Sequence, residues 1–116
     1  MIAVNVLIHA ELHGLAGRAQ ELRDVLLEHS ARLAVAAGGL GAAAYEPLGA
    51  EPGEFVLDAW WRDEAALRAH YATSEYTRYF QRVGELLARP SDVTVHAIER
   101  SYRATGDLSA DPARQG

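Results

Sequence analysis

His70 is the residue best placed to do chemistry in this chain. It sits in WWRDEAALRAHYATSEYTRYF, at W-x8-H spacing from Trp61, and three tyrosines and a phenylalanine (Tyr71, Tyr76, Tyr79, Phe80) follow within ten residues. An imidazole is the side chain whose ordinary pKa, near 6.5, suits proton transfer at neutral pH. Trp60 and Trp61 supply flat apolar surface, and a tyrosine hydroxyl can donate to a carbonyl or an oxyanion. Aromatic, titratable and cationic groups at this density could line an apolar pocket for a flat organic ligand. Each has a plainer reading as well: a histidine at a pocket rim that only fixes shape, a tryptophan that fills the core, tyrosines on an amphipathic helix.

Placing these groups requires a strand that ends at the tryptophans and a helix that carries the histidine. Glu54 to Trp61 reads as that strand. Asp63 is a plausible N-cap for the helix after it, with Glu64 in the first turn where the dipole favours negative charge. Ser74 reads as a second cap, dividing the helical region into about 64–73 and 75–88. Tyr76, Tyr79/Phe80, Val83 and Leu86/Leu87 then form the inward stripe of the second piece, with Tyr71 directed elsewhere. Pro90 stops it, and Asp92 to Tyr102 is the last strand.

Upstream, Ile2 to His13 alternates with period two. Val4, Val6, Ile8, Ala10 and Leu12 share one face, and Asn5, Leu7, His9 and Glu11 the other. A helix over about 18–37 carries Leu22, Leu26, His29 and Leu33 on one stripe. Gly38, Gly39 and Gly41 end it and open a strand near Ala42 to Leu48. The turn Gly49-Ala-Glu-Pro-Gly53 makes a hairpin with the next strand. The order β-α-β-β-α-β is ferredoxin-like: an α+β fold with an antiparallel sheet and both helices on one face. The opposite sheet face also carries apolar groups, so a homodimer with sheets packed face to face is expected. Residues 1–103 form one domain, and 104–116 read as a polar, disordered tail.

Composition removes several chemistries. The 116 residues contain no cysteine, so disulfides, thiolate nucleophiles and Cys-based metal sites are excluded. All eleven basic residues are arginine, which excludes lysine Schiff bases. A net charge of −5 with no basic run argues against nucleic acid or an anionic membrane surface as partner. The start, MIAVNVLIHAELHG, lacks a basic n-region and is too short to span a bilayer, so a cytoplasmic soluble protein is expected. His9, Glu11 and His13 form an H-x-E-x-H set, but on a strand these positions spread over about 13 Å, too far for one ion, and no metal is expected. His96 has no evident partner. No phosphate cradle, nucleophile elbow or dinucleotide fingerprint is present, so no cofactor is expected.

From about Val4 to Ile98 the chain resembles the antibiotic biosynthesis monooxygenase family, dimeric α+β barrels that include quinol and anthrone oxygenases. The sharpest match is WRDEAALRAHYATSEYTRYF. Trp61 matches the tryptophan closing strand three, Ala66-Leu67-Arg68-Ala69-His70 the family's A-L-x-x-H, and Thr73 and Ser74 the small polar residues beyond. The family often has an acidic residue two before the tryptophan; here that place is Ala59, and neighbouring Asp58 points to the other sheet face. The heme-degrading branch needs asparagine, tryptophan and histidine where this chain has Ala10, His70 and Phe80, so heme degradation is rejected.

The resemblance implies a cofactor-independent monooxygenase that oxidises a polycyclic phenol, anthrone or hydroquinone with O2, in aromatic natural-product biosynthesis. His70 would be the base, and Tyr79, another tyrosine or Arg82 would steady negative charge, with Arg78 as a lesser candidate. Trp61, Trp60, Leu67, Tyr76, Phe80 and His29 would bind the small aromatic substrate; for His29 the competing reading is a satisfied core histidine. Two alternatives stand beside it: a cyclase or isomerase acting on an aromatic polyketide-like ligand without O2, and a non-catalytic dimeric ligand-binding domain.

Overall fold

Alternation along the first strand sets the layering of the molecule. A computed structural model describes residues 5–103; the expected first strand residues 2–4 and the tail at 104–116 lie outside them. The elements are β1 (Asn5–His13), α1 (Ala19–Leu33), β2 (Gly39–Tyr45), β3 (Glu54–Trp61), α2 (Glu64–Tyr71), α3 (Ser74–Gly84) and β4 (Asp92–Ile98). The four strands form one antiparallel sheet in the order β2-β3-β1-β4. This is the expected ferredoxin-like α+β arrangement, with the second helix divided into α2 and α3.

The inner sheet face and the helices share the core. Val6, Ala10 and Leu12 of β1 and Phe55, Leu57, Ala59 and Trp61 of β3 are buried, because alternate strand residues point one way. Leu22, Leu26, His29 and Leu33, the expected stripe of α1, are buried against them together with Val25. Removing one such leucine from water stabilises the fold by roughly 2 kcal/mol. On the outer face, Trp60 lies opposite Leu7, which pairs in turn with His96. There Asp58 accepts hydrogen bonds from His9 Nδ1 at 2.6 Å and from the Tyr45 hydroxyl at 2.9 Å.

Several boundaries differ from the sequence reading. Helix α1 stops at Leu33 rather than near Ala37, and turn hydrogen bonds Ala36 N→Leu33 O and Gly39 N→Ala36 O carry the chain into β2. Strand β2 starts at Gly39, not Ala42, because Gly39 already pairs with Trp61, with a register shift before Gly41; it ends at Tyr45 rather than Leu48. Gly38 has φ +77°, and a Cβ there would meet the Ala66 Cβ at 2.5 Å, so this turn sits hard against α2. The cap of α3 is Thr73 rather than Ser74: its backbone is extended, and its hydroxyl accepts from Tyr76 N at 3.1 Å. Asp63 caps α2 as expected, accepting from Ala66 N at 2.8 Å.

Helix α3 ends at Gly84 rather than near Ala88, because the backbone beyond it is taken by the β1 end. Leu86 O accepts from Leu15 N and Ala88 N donates to His13 O, each at 2.8 Å, and Gly14 bridges Leu87. Strand β4 ends at Ile98, which pairs with Asn5, instead of reaching Tyr102. Among the described residues no helix is long and apolar enough to cross a membrane.

Candidate active site

The inner sheet face is only partly covered by the helices. A cavity of about 600 Å³ remains between Ile8, Ala10, Leu57, Ala59 and Val93 on the sheet and the aromatic side of α1, α2 and α3. Trp61, fully buried at the end of β3, forms one wall. The His70 ring stands beside it with centroids 4.8 Å apart, and the Tyr76 ring meets His70 edge-on at 5.3 Å. His29 approaches from α1, 5.9 Å from His70, and stacks on Tyr79 at 3.5 Å with the planes 9° apart.

Local sequence explains this convergence. Helix α2 is short and capped by Asp63, so His70 falls in its last turn, directed back at the tryptophan that ends β3. The Thr73 hydroxyl donates to His70 O at 2.7 Å while also capping α3. The two helices are thereby joined at the residue that carries the imidazole.

Burial sets the electrostatics. It pushes the His70 pKa below the ordinary histidine value, with the Glu75 charge acting in the opposite direction. His29 is lowered to about 4 by burial, with smaller contributions from His70 and Arg32. Burial raises the phenol pKa of Tyr79, Tyr76 and Tyr71. At pH 7 the cavity therefore holds neutral imidazoles, which can accept a proton, and protonated phenols, which can donate hydrogen bonds.

Seven of the ten residues given a role in the sequence line this cavity: His70, Tyr79, Trp61, Leu67, Tyr76, Phe80 and His29. Phe80 is 64 % exposed and stands at the mouth. Trp60, Arg82 and Arg78 are placed elsewhere. Trp60 is 36 % exposed on the outer sheet face, as its position next to inward Trp61 requires. Arg82 is one helical step from buried Val83 and turns away from the cavity, into a separate cleft of about 330 Å³ that it shares with Glu28, Arg32 and Arg78. Its nearest carboxylate is Glu28, at 3.7 Å.

Tyr71 corrects the expectation in the other direction. It lines the cavity, with its ring 4.7 Å from that of Tyr76. Helical phase does not carry across the break at Thr73, so the end of α2 and the start of α3 converge there. Arg89 and Ser91 also line the cavity. They lie beyond the periodic part of the helix, and only the stop at Pro90 marked that segment.

Asp58, beside the Ala59 that replaces the family's acid, faces away from the cavity toward His9 and Tyr45. His13 Nδ1 lies 3.6 Å from Glu54 and its Nε2 3.5 Å from Asp92. Among the described residues no three His, Asp or Glu groups are arranged to hold a metal ion.

Solved structures share this architecture. Rv0793 from Mycobacterium tuberculosis is 29% identical with a TM-score of 0.77, covering 85% of this chain and 99% of its own. A putative antibiotic biosynthesis monooxygenase from Deinococcus radiodurans is 23% identical, TM-score 0.79, covering 87% and 99%. SnoaB, a cofactor-independent oxygenase from Streptomyces nogalater whose structure is that of a mutant, is 16% identical, TM-score 0.73, covering 84% and 95%. No curated protein matches the chain. The family model described as antibiotic biosynthesis monooxygenase matches residues 5–82, spanning β1 through most of α3, and the chain belongs to that family.

Proposed function

We propose that the protein is a cofactor-independent oxygenase that converts a polycyclic phenol, anthrone or hydroquinone to a quinone. One observation carries this reading: a neutral imidazole, His70, set among aromatic rings in an apolar cavity of about 600 Å³. That volume suits a ligand of three or four fused rings. The likeness in fold to SnoaB, described as a cofactor-independent oxygenase, supports the same chemistry.

Such a substrate carries most of the reactivity itself. His70 takes a proton from an anthrone methylene or a phenol, leaving a delocalised anion. The anion passes one electron to O2, and the resulting radical and superoxide combine to a peroxide. The peroxide takes the proton back from His70. It then loses water, so that one O2 yields one new carbonyl and one H2O. The tyrosine hydroxyls, kept protonated by burial, are available to donate to the developing oxyanion, and the apolar walls strengthen that interaction by excluding water. Arg82 has no part in this scheme, since it opens on a different cleft.

A second copy would cover the outer sheet face, where Leu7 and Trp60 lie opposite one another, to give a homodimer. One feature favours a rival reading, a cyclase or isomerase working without O2: Ala59 leaves the cavity wall without a carboxylate. Quinone formation from an anthrone in air, absent under argon, would support the oxygenase. Equal conversion to a cyclised or isomerised product in both atmospheres would overturn it.

A further inference from the structure

His13, the last residue of the H-x-E-x-H run, finds a use outside metal binding. Its Nε2 lies 3.1 Å from Nη2 of Arg89. Arginine can only donate, so this imidazole nitrogen accepts the hydrogen bond. The backbone on either side is fixed too: Ala88 N donates to His13 O and Leu15 N to Leu86 O, while Gly14 bridges Leu87. Pro90 then fixes the next φ angle. The exposed Arg89 side chain, beyond the end of α3, is thus held at the rim of the cavity, beside Ser91. Among the described residues Arg89 is the only arginine lining the cavity, and it makes no ion pair there.

We propose that this end of the cavity is an anion subsite. The ligand would be an aromatic body carrying a carboxylate, with Arg89 as the specificity residue and His13 as its positioning residue. The inference rests on the cavity being the ligand site and adds the class of substituent. A guanidinium presents a planar fork of donors that matches a carboxylate, and a charge-assisted pair is stronger than a neutral one. The Arg89 partner is an imidazole acceptor, which orients the fork; the same Nε2 lies 3.5 Å from the Asp92 carboxylate, which stands beside the subsite without pairing with Arg89. The His70 end supplies the base and the Arg89 end the counter-charge, so one ligand would be held at both ends.

The test is calorimetric titration at pH 7 with 1-hydroxy-2-naphthoate, its methyl ester and decanoate. The acid is expected to bind at least about tenfold more tightly than the ester. In Arg89→Leu that preference should fall below about threefold with ester affinity unchanged, and Arg89→Lys should restore part of it. His13→Leu should weaken acid binding and leave the ester alone, which a merely structural role would not do. Equal binding of acid and ester by the native protein overturns the subsite while leaving the aromatic cavity standing, as does a preference that survives Arg89→Leu. Decanoate binding as tightly as the naphthoate overturns the aromatic body. Failure of both naphthalene probes to bind contradicts the cavity reading and the subsite with it.

Discussion

The rings of His29 and Tyr79 lie face to face, 3.5 Å between centroids and 9° from parallel, joining α1 to α3 across the inner wall of the cavity. The stack is a polar pair inside an apolar core, and the imidazole bears the cost: burial holds its pKa at about 4. The unfolded chain binds that proton near pH 6.5, so between those values the unfolded state carries more protons than the folded one. The His29 contribution is therefore absent above pH 6.5 and becomes destabilising as pH falls toward 4.

Replacing His29 by Phe keeps a flat ring against Tyr79 and removes the titration. Between pH 7 and pH 5 the native protein should lose up to about 2 kcal/mol that His29→Phe retains. Urea unfolding at the two pH values reads the difference. An identical loss in both proteins would show that His29 is not buried neutral.

The two adjacent tryptophans should separate cleanly. Trp61→Ala removes a fully buried ring from the cavity wall and should cost about 3–5 kcal/mol of folding stability. Trp60→Ala trims a part-exposed ring and should cost less than about 1 kcal/mol of protomer stability while weakening self-association. Chemical unfolding and sedimentation equilibrium measure the two effects. A Trp60→Ala protein as tightly self-associated as the native one would argue against the outer face as the interface.

Thr73→Ala should lower stability by about 1 kcal/mol, because the hydroxyl that caps Tyr76 N also bonds His70 O. Thr73→Ser should keep most of it. Thermal unfolding of the three proteins is sufficient, and an unchanged midpoint in Thr73→Ala would show that the cap is idle.

For a substrate that does not itself titrate below pH 8, the acid limb of kcat/KM should fall below pH 6.5. His70 must be neutral to act, and burial lowers its pKa. Because kcat/KM reports the free protein, a limb centred above pH 6.5 would mean that the base is a different group.

The layering of the fold was legible because period two in β1 and the stripe Leu22, Leu26, His29, Leu33 each follow directly from backbone geometry. Trp61 could not be told from Trp60 without the phase of β3, and that phase is set by pairing Val6 with Trp61 across the sheet. Tyr71 and Arg89 escaped for a related reason. Tyr71 enters the cavity only because α2 breaks at Thr73, and Arg89 only because Leu86 and Ala88 bond back to the end of β1. Periodicity reads one element at a time, and both residues owe their place to contacts between elements. Arg82 was misplaced by the converse error: a cation next to cavity residues in sequence opens, one helical step on, into a different cleft that His29 and Tyr79 also border.

Oxygen uptake by metal-stripped protein, supplied with a panel of anthrones and hydroquinones and neither flavin nor nicotinamide, tests the central claim most directly. One O2 consumed per quinone formed is the predicted result, falling at least about a hundredfold in His70→Ala while ligand binding persists. Full turnover in His70→Ala would remove the base from the mechanism, and tight ligand binding with no oxygen consumed would contradict the oxygenase itself.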